Sequence, residues 1–123
     1  SLAQIAIQGP ASRDILATVG LADLSTLKIR HCLDTTLCGH ATLVTRTGYT
    51  GELGYELYLP AAGAQTVWDR LLEAGRALGI KTAGLGARDL LRLEMAYLLY
   101  GNDMNEETTP IEAGAEWVVK FDE

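Results

Sequence analysis

The densest chemistry in the chain lies in the segment RTGYTGELGYE, residues 46–56. Three glycines within seven positions (Gly48, Gly51, Gly54) imply unusual dihedrals or close approach by another group, and Tyr49 stands among them as an aromatic platform. Glu56 is the sharper feature, because a carboxylate inside an otherwise apolar strand wants a partner. That partner is either Arg46, in a cross-strand pair worth less than about 1 kcal/mol if exposed, or a ligand with two adjacent N–H donors, as the pyrimidine edge of a pterin presents. The residues alone favour the solvated pair, since most charged strand residues face water.

Two further groupings carry weaker signals. Arg88 and Arg92 lie one helical turn apart with Asp89 and Glu94 nearby. They read either as an ion-paired helix face or, beside the GLG turn at 84–86, as a clamp for a planar or carboxylate ligand. The GLG turn itself has the setting of a dinucleotide fingerprint, but Asp89 stands where the third glycine belongs and would compete with a pyrophosphate for the helix N-terminus. In HCLDTTLCGH, His31, Cys32, Cys38 and His40 are potential metal ligands. Five residues separate the cysteines where a structural zinc site has two to four, so no metal site is expected.

The elements that must position these residues follow from periodicity. Residues 2–8 alternate as a strand, Gly9-Pro10 ends it, and Ile15, Leu16 and Val19 share a helical face that Gly20 closes. Residues 28–47 are rich in Thr, Ile, Leu and Val and break at Gly39-His40, which predicts a hairpin whose second strand is 41–47. Tyr55, Leu57 and Leu59 alternate with Glu56 and Tyr58, so the carboxylate is expected on the face opposite the apolar triplet. Ala62 to Leu78 carries the strongest helical stripe, capped by Gly79. A short strand at 80–83 and a helix over 87–97 with Leu90, Leu91, Leu93 and Leu98 inward are expected next. An irregular stretch and a last strand over 117–121 complete the pattern. This order predicts an α+β fold, a ferredoxin-like antiparallel sheet with helices on one face, in a single domain over 1–123.

Composition agrees with one core. The chain has 123 residues, of which 48% are hydrophobic and 21% charged, and this length buries roughly two thirds of the unfolded surface. The net charge of −6 arises entirely from residues 101–123, where seven acids face Lys120; residues 1–100 hold nine acids and nine bases. With no basic stripe, nucleic acid and anionic membranes are unexpected partners. No apolar run approaches the ~20 residues of a membrane-spanning helix, and two cysteines are too few for a disulfide scaffold. The chain opens without Met inside an alternating pattern, the expectation for a piece of something longer.

Three motifs, RTGYTGELGYELYLP at 46–60, GLGARDLLRLE at 84–94 and YGNDMNEETTPIEAG at 100–114, together closely resemble the T-protein of the glycine cleavage system, a tetrahydrofolate-dependent aminomethyltransferase. IAIQGP at 5–10 is similar to the strand-to-helix entry of the same region. The resemblance spans the chain but only about a third of a full family member, the central portion of its folate-binding region. It implies methylene transfer from an aminomethyl-lipoyl arm of the lipoylated H-protein to tetrahydrofolate, in the cytoplasm of a bacterium or the mitochondrial matrix of a eukaryote. It assigns Glu56 to the pterin and Arg88 to folate, and places Tyr49 in the same pocket, which reverses the preference for a solvated Glu56. The family's catalytic aspartate lies upstream and another folate-contacting arginine downstream, so no catalytic residue is assigned here and the chain alone is expected to be inactive. Folate domains of dimethylglycine and sarcosine dehydrogenases and of sulfonium demethylases share the architecture. Relatives in iron–sulfur assembly have a KGCY-type segment where this chain has RTGYTGE. A protein-binding module docking a basic partner through the acidic stretch is the reading from another class.

Overall fold

The computed structural model of the chain describes residues 1–21 and 23–121. Strands β1 (Leu2–Gln8), β2 (Cys32–Leu37), β3 (His40–Thr45) and β4 (Gly54–Pro60) form one sheet in the order β1-β4-β3-β2, with every pairing antiparallel. The β2–β3 turn places Cys38 and Gly39 at φ 51° and 82°, the left-handed pair that matches the twist of a two-residue hairpin. Side-chain alternation along β4 buries Tyr55, Leu57 and Leu59 completely on one face and turns Glu56 and Tyr58 to the other.

Helices α1 (Ser12–Thr18) and α2 (Ala64–Gly75) cover the apolar face, where Ile15, Leu16, Val67 and Leu71 join Ile5, Ile7, Leu37 and Val44 in one core. Leu21, Leu24 and Leu27 from the long α1–β2 connection close its edge. The α+β architecture with helices on one face of an antiparallel sheet is thus the expected one. Single 3₁₀ turns at Ala61–Gly63 and Arg76–Leu78 flank α2, so the helical stretch runs from 61 to 78 and stops at Gly79, whose φ is 75°.

Three expectations fail after that point. Residues 80–84 are irregular, because Ile80 folds back onto α2: its N–H donates to Gly75 O at 3.0 Å and its side chain lies against the Gly75 Cα. Glu116–Val118 is a 3₁₀ turn, and residues 117–121 add no strand to the sheet. Helix α3 (Leu85–Glu94) forms, but Leu90, Leu91 and Leu93 are 57%, 39% and 55% exposed instead of inward. Its one buried residue is Arg92, at 3%. Periodicity marks an apolar face without saying what covers it, and α3 turns its polar side to its neighbours.

Candidate functional site

The open face of the sheet is polar along β1 and β4. Glu56, half-buried there, is held by three neutral donors. Gln4 Nε2 donates to Oε1 at 2.8 Å, Tyr58 OH donates to Oε2 at 3.3 Å, and the Thr47 hydroxyl donates to Oε2. Gln4 also donates to the Tyr58 hydroxyl at 3.2 Å, so β1 and β4 share one network. Arg46 takes no part, since its guanidinium donates to Leu27 O at 2.9 Å. The cross-strand pair considered for Glu56 therefore does not form. Burial first, and the Glu56 carboxylate next to it, push the Tyr58 phenol above its ordinary value, so it stays a hydroxyl donor at neutral pH.

Two residues beyond Thr47, the loop brings Tyr49 against α3 and the segment that follows it. The Arg88 guanidinium carbon sits 4.8 Å from the Tyr49 ring centroid, a cation–π contact. Tyr49 stacks on Tyr97 with centroids 5.7 Å apart and planes inclined by 26°, and its hydroxyl donates to Leu98 O. Gly51, at φ 76°, lies directly against the Met95 side chain, which closes the same seam. Tyr49 and Arg88 are thus in contact, and Thr47 ties their loop to Glu56.

Behind this cluster Arg92 forms a latch. Its Nε and Nη2 reach Asp89 Oδ1 at 2.7 Å, and its Nη1 bonds Asp103 and donates to Tyr97 O at 3.1 Å. Asp103 in turn accepts the Leu99 N–H at 2.8 Å. The Leu99 N–H holds the Asp103 carboxyl below the usual range against the opposing effect of burial, and the Arg92 guanidinium lowers it further. Of the two readings of the Arg88/Arg92 pair, the ion-paired one holds for Arg92. Arg92 is ion-paired and structural, whereas Arg88 is exposed beside an aromatic ring. Asp89 serves Arg92 and makes no side-chain cap at the start of α3.

No group of three or more His, Cys, Asp or Glu side chains among the described residues could hold a metal. Cys32 and Cys38 are free thiols, and Cys38 sits in the β2–β3 turn. Sequence reading missed Gln4, Thr47, Tyr58 and Tyr97. Gln4 and Tyr58 could have been found by extending the β4 alternation across to β1, because the two pair in register, whereas Thr47 lies beyond the end of β3. Tyr97 carries no such signal, since its contact depends on tertiary packing.

Known proteins match this arrangement closely. A chain titled glycine cleavage system aminomethyltransferase T, from Bartonella henselae, superposes with a TM-score of 0.84 at 37% identity, over 98% of this chain and 31% of its own. Aminomethyltransferases from Halothermothrix orenii and Caldanaerobacter subterraneus subsp. tengcongensis are 56% and 49% identical to it. Each alignment takes in 98% of this chain but 34% and 33% of those proteins, so the chain spans about a third of the length of the relatives it matches. The profile of the GCVT N-terminal domain matches residues 1–123. Since that profile takes in the whole chain and the superposed fold agrees with it, the chain belongs to the GCVT N-terminal domain family.

Proposed function

We propose that the chain is the folate-binding part of a tetrahydrofolate-dependent aminomethyltransferase, acting in glycine degradation on the aminomethyl-lipoyl arm of a lipoylated H-protein. The observation that carries this reading is Glu56, a carboxylate held on an open sheet face by Gln4, Thr47 and Tyr58 with no cation among the described residues in a salt bridge to it. A carboxylate has about four acceptor positions, and these donors use three. One position on Oε1 is free, and the long Tyr58 bond on Oε2 exchanges at small cost. Both oxygens are therefore available to two adjacent N–H donors, the pattern of a pterin edge.

Arg88, exposed against the Tyr49 ring, supplies a cation for the folate, and Tyr49, stacked on Tyr97, lines the same pocket and holds that guanidinium in place. The acceptor brings the reacting amine; the residues here bind and orient it. By the same reading, residues 1–123 are the central portion of the parent's folate-binding region, with the catalytic aspartate upstream and a further domain downstream. The bacterial names among the relatives support a cytoplasmic site of action, and no helix among the described residues is long and apolar enough to cross a membrane.

Calorimetric titration with tetrahydrofolate tests this. Saturable one-to-one binding is expected, together with no methylene transfer when aminomethylated H-protein is added to the chain alone. Absence of binding contradicts the folate reading, and transfer by the chain alone contradicts the placement of the catalytic group outside it.

A further inference from the structure

We propose that Gln8 is the positioning residue of this folate site. It rests on the reading above and extends it to a residue that touches neither Glu56 nor Arg88. Gln8 is the last residue of β1, and its carboxamide sits inside the glycine-rich loop. Nε2 donates to Thr47 O and to Tyr55 O, each at 3.2 Å, and Oε1 accepts the Thr50 hydroxyl at 3.4 Å. One side chain thus joins the end of β3, the loop tip and the start of β4.

The glycines agree with this. Gly51 has a positive φ of 76°, whereas Gly48 and Gly54 have none, so at those two positions the backbone itself would accept a side chain. What a side chain there would meet is Gln8, because a methyl group built on either residue lands within its carboxamide and fits only if the amide gives up its place. Two of the three glycines in RTGYTGELG therefore line the space that the amide fills, where no positive φ requires them. The neighbouring seam is stitched to the same junction, as Gly9 N donates to Leu53 O at 2.7 Å and the Ser12 hydroxyl to Leu53 O at 3.2 Å.

The consequence is alignment. Thr47, whose carbonyl Gln8 holds, carries the hydroxyl that fixes Glu56, and Tyr49 two residues on carries the contact with Arg88 and Leu98. Fixing this loop sets the distance between the carboxylate and the Tyr49–Arg88 pair, the quantity that decides whether one ligand meets both.

The test uses Gln8→Met, which keeps length and volume but removes the amide, and the pair Gly48→Ala and Gln8→Ala, singly and combined. Two readouts are taken: aromatic ¹³C resonances of Tyr49 and Tyr97 in the ligand-free chain, and affinity for tetrahydrofolate. Gln8→Met is expected to shift both ring signals, leave core methyl signals of Val44 and Leu57 in place, and weaken binding about tenfold. Gly48→Ala is expected to do the same in the parent chain and to add little once Gln8→Ala has emptied the space, a non-additive pair. Unshifted rings and unchanged affinity in Gln8→Met, or strictly additive effects in the pair, would overturn the proposal. Failure of the unsubstituted chain to bind tetrahydrofolate removes the folate reading, whereas the ring shifts decide independently whether Gln8 pins the loop.

Discussion

Glu56→Gln is expected to weaken tetrahydrofolate binding by about tenfold to a hundredfold, the range for losing a hydrogen-bonded charge. The fold should be indifferent to the change. The Thr47 and Tyr58 hydroxyls can rotate to accept from an amide where they donated to a carboxylate, and Gln4 keeps an oxygen to donate to. A ligand presenting two N–H donors has no such freedom, because one of them now faces an NH₂ group. Titration calorimetry beside a thermal melt separates the two effects: affinity falls while the melting temperature holds. Equal affinity for both chains would reject Glu56 as the acceptor.

The second large effect is expected from Arg92→Leu. Leucine matches the burial but leaves Asp89 and Asp103 without their cation and Tyr97 O without a donor. The turn over residues 95–104 then loses its side-chain tie to α3, and only the Ala96 and Tyr97 N–H bonds to Leu93 O and Arg92 O remain to hold Tyr97 against the Tyr49 ring and Leu98 O at the Tyr49 hydroxyl. Amide exchange at Tyr97 and Leu99 should accelerate more than about tenfold, with exchange in β1 and β4 unchanged. Arg92→Lys should rescue only in part, since a point charge cannot serve Asp89, Asp103 and a carbonyl as a guanidinium fork does.

The unsubstituted chain should show the same loosening on acidification. Asp103 titrates below its ordinary value when folded, so its contribution is fully present above the unfolded carboxylate range, about pH 4, and is lost as pH falls through the lower folded value. Arg92, raised chiefly by its hydrogen bond to Asp89, stays charged throughout, so the transition belongs to the carboxylate. Glu112, lowered by the Thr109 N–H and then its hydroxyl, adds to the trend in the same window. Faster exchange at Leu99 in acid, before the sheet opens, is the expected sign; exchange rates independent of pH-driven opening would contradict it.

What could be read from the residues follows the range of the forces involved. The β4 alternation placed Glu56 opposite Tyr55, Leu57 and Leu59 because one sheet face is buried and a one-residue slip would invert it. The α2 stripe and the Gly79 stop were equally local, and β1 was bounded by Gly9-Pro10. Helix α3 was legible as a helix, but its inward face was not, because the leucine pattern outweighs a single buried arginine. The hairpin was legible and its turn fell one residue early, at Cys38-Gly39, since Cys38 takes a left-handed conformation unusual for its type.

The site divided in the same way. Glu56, Arg88 and Tyr49 stood out by type and by resemblance, and the structure joins Tyr49 to Arg88 directly. Their supports did not stand out. Gln4, Gln8 and Thr47 act through strand pairing and through space left by glycines, and Tyr97 reaches Tyr49 across 48 positions of sequence. Apart from the Gln4–Tyr58 register, such contacts have no local periodicity to betray them.

The central claim is that folate binds on the open sheet face at Glu56, with Tyr49 and Arg88 beside it. Chemical-shift mapping of the isotope-labelled chain during a tetrahydrofolate titration tests it most directly. Perturbations centred on Glu56, Tyr49 and Arg88, with Thr47 and Tyr58 following, are the predicted result. Perturbations confined to the shallow groove lined by Thr26, Lys28, His31 and Cys32, or none at saturating ligand, would contradict it.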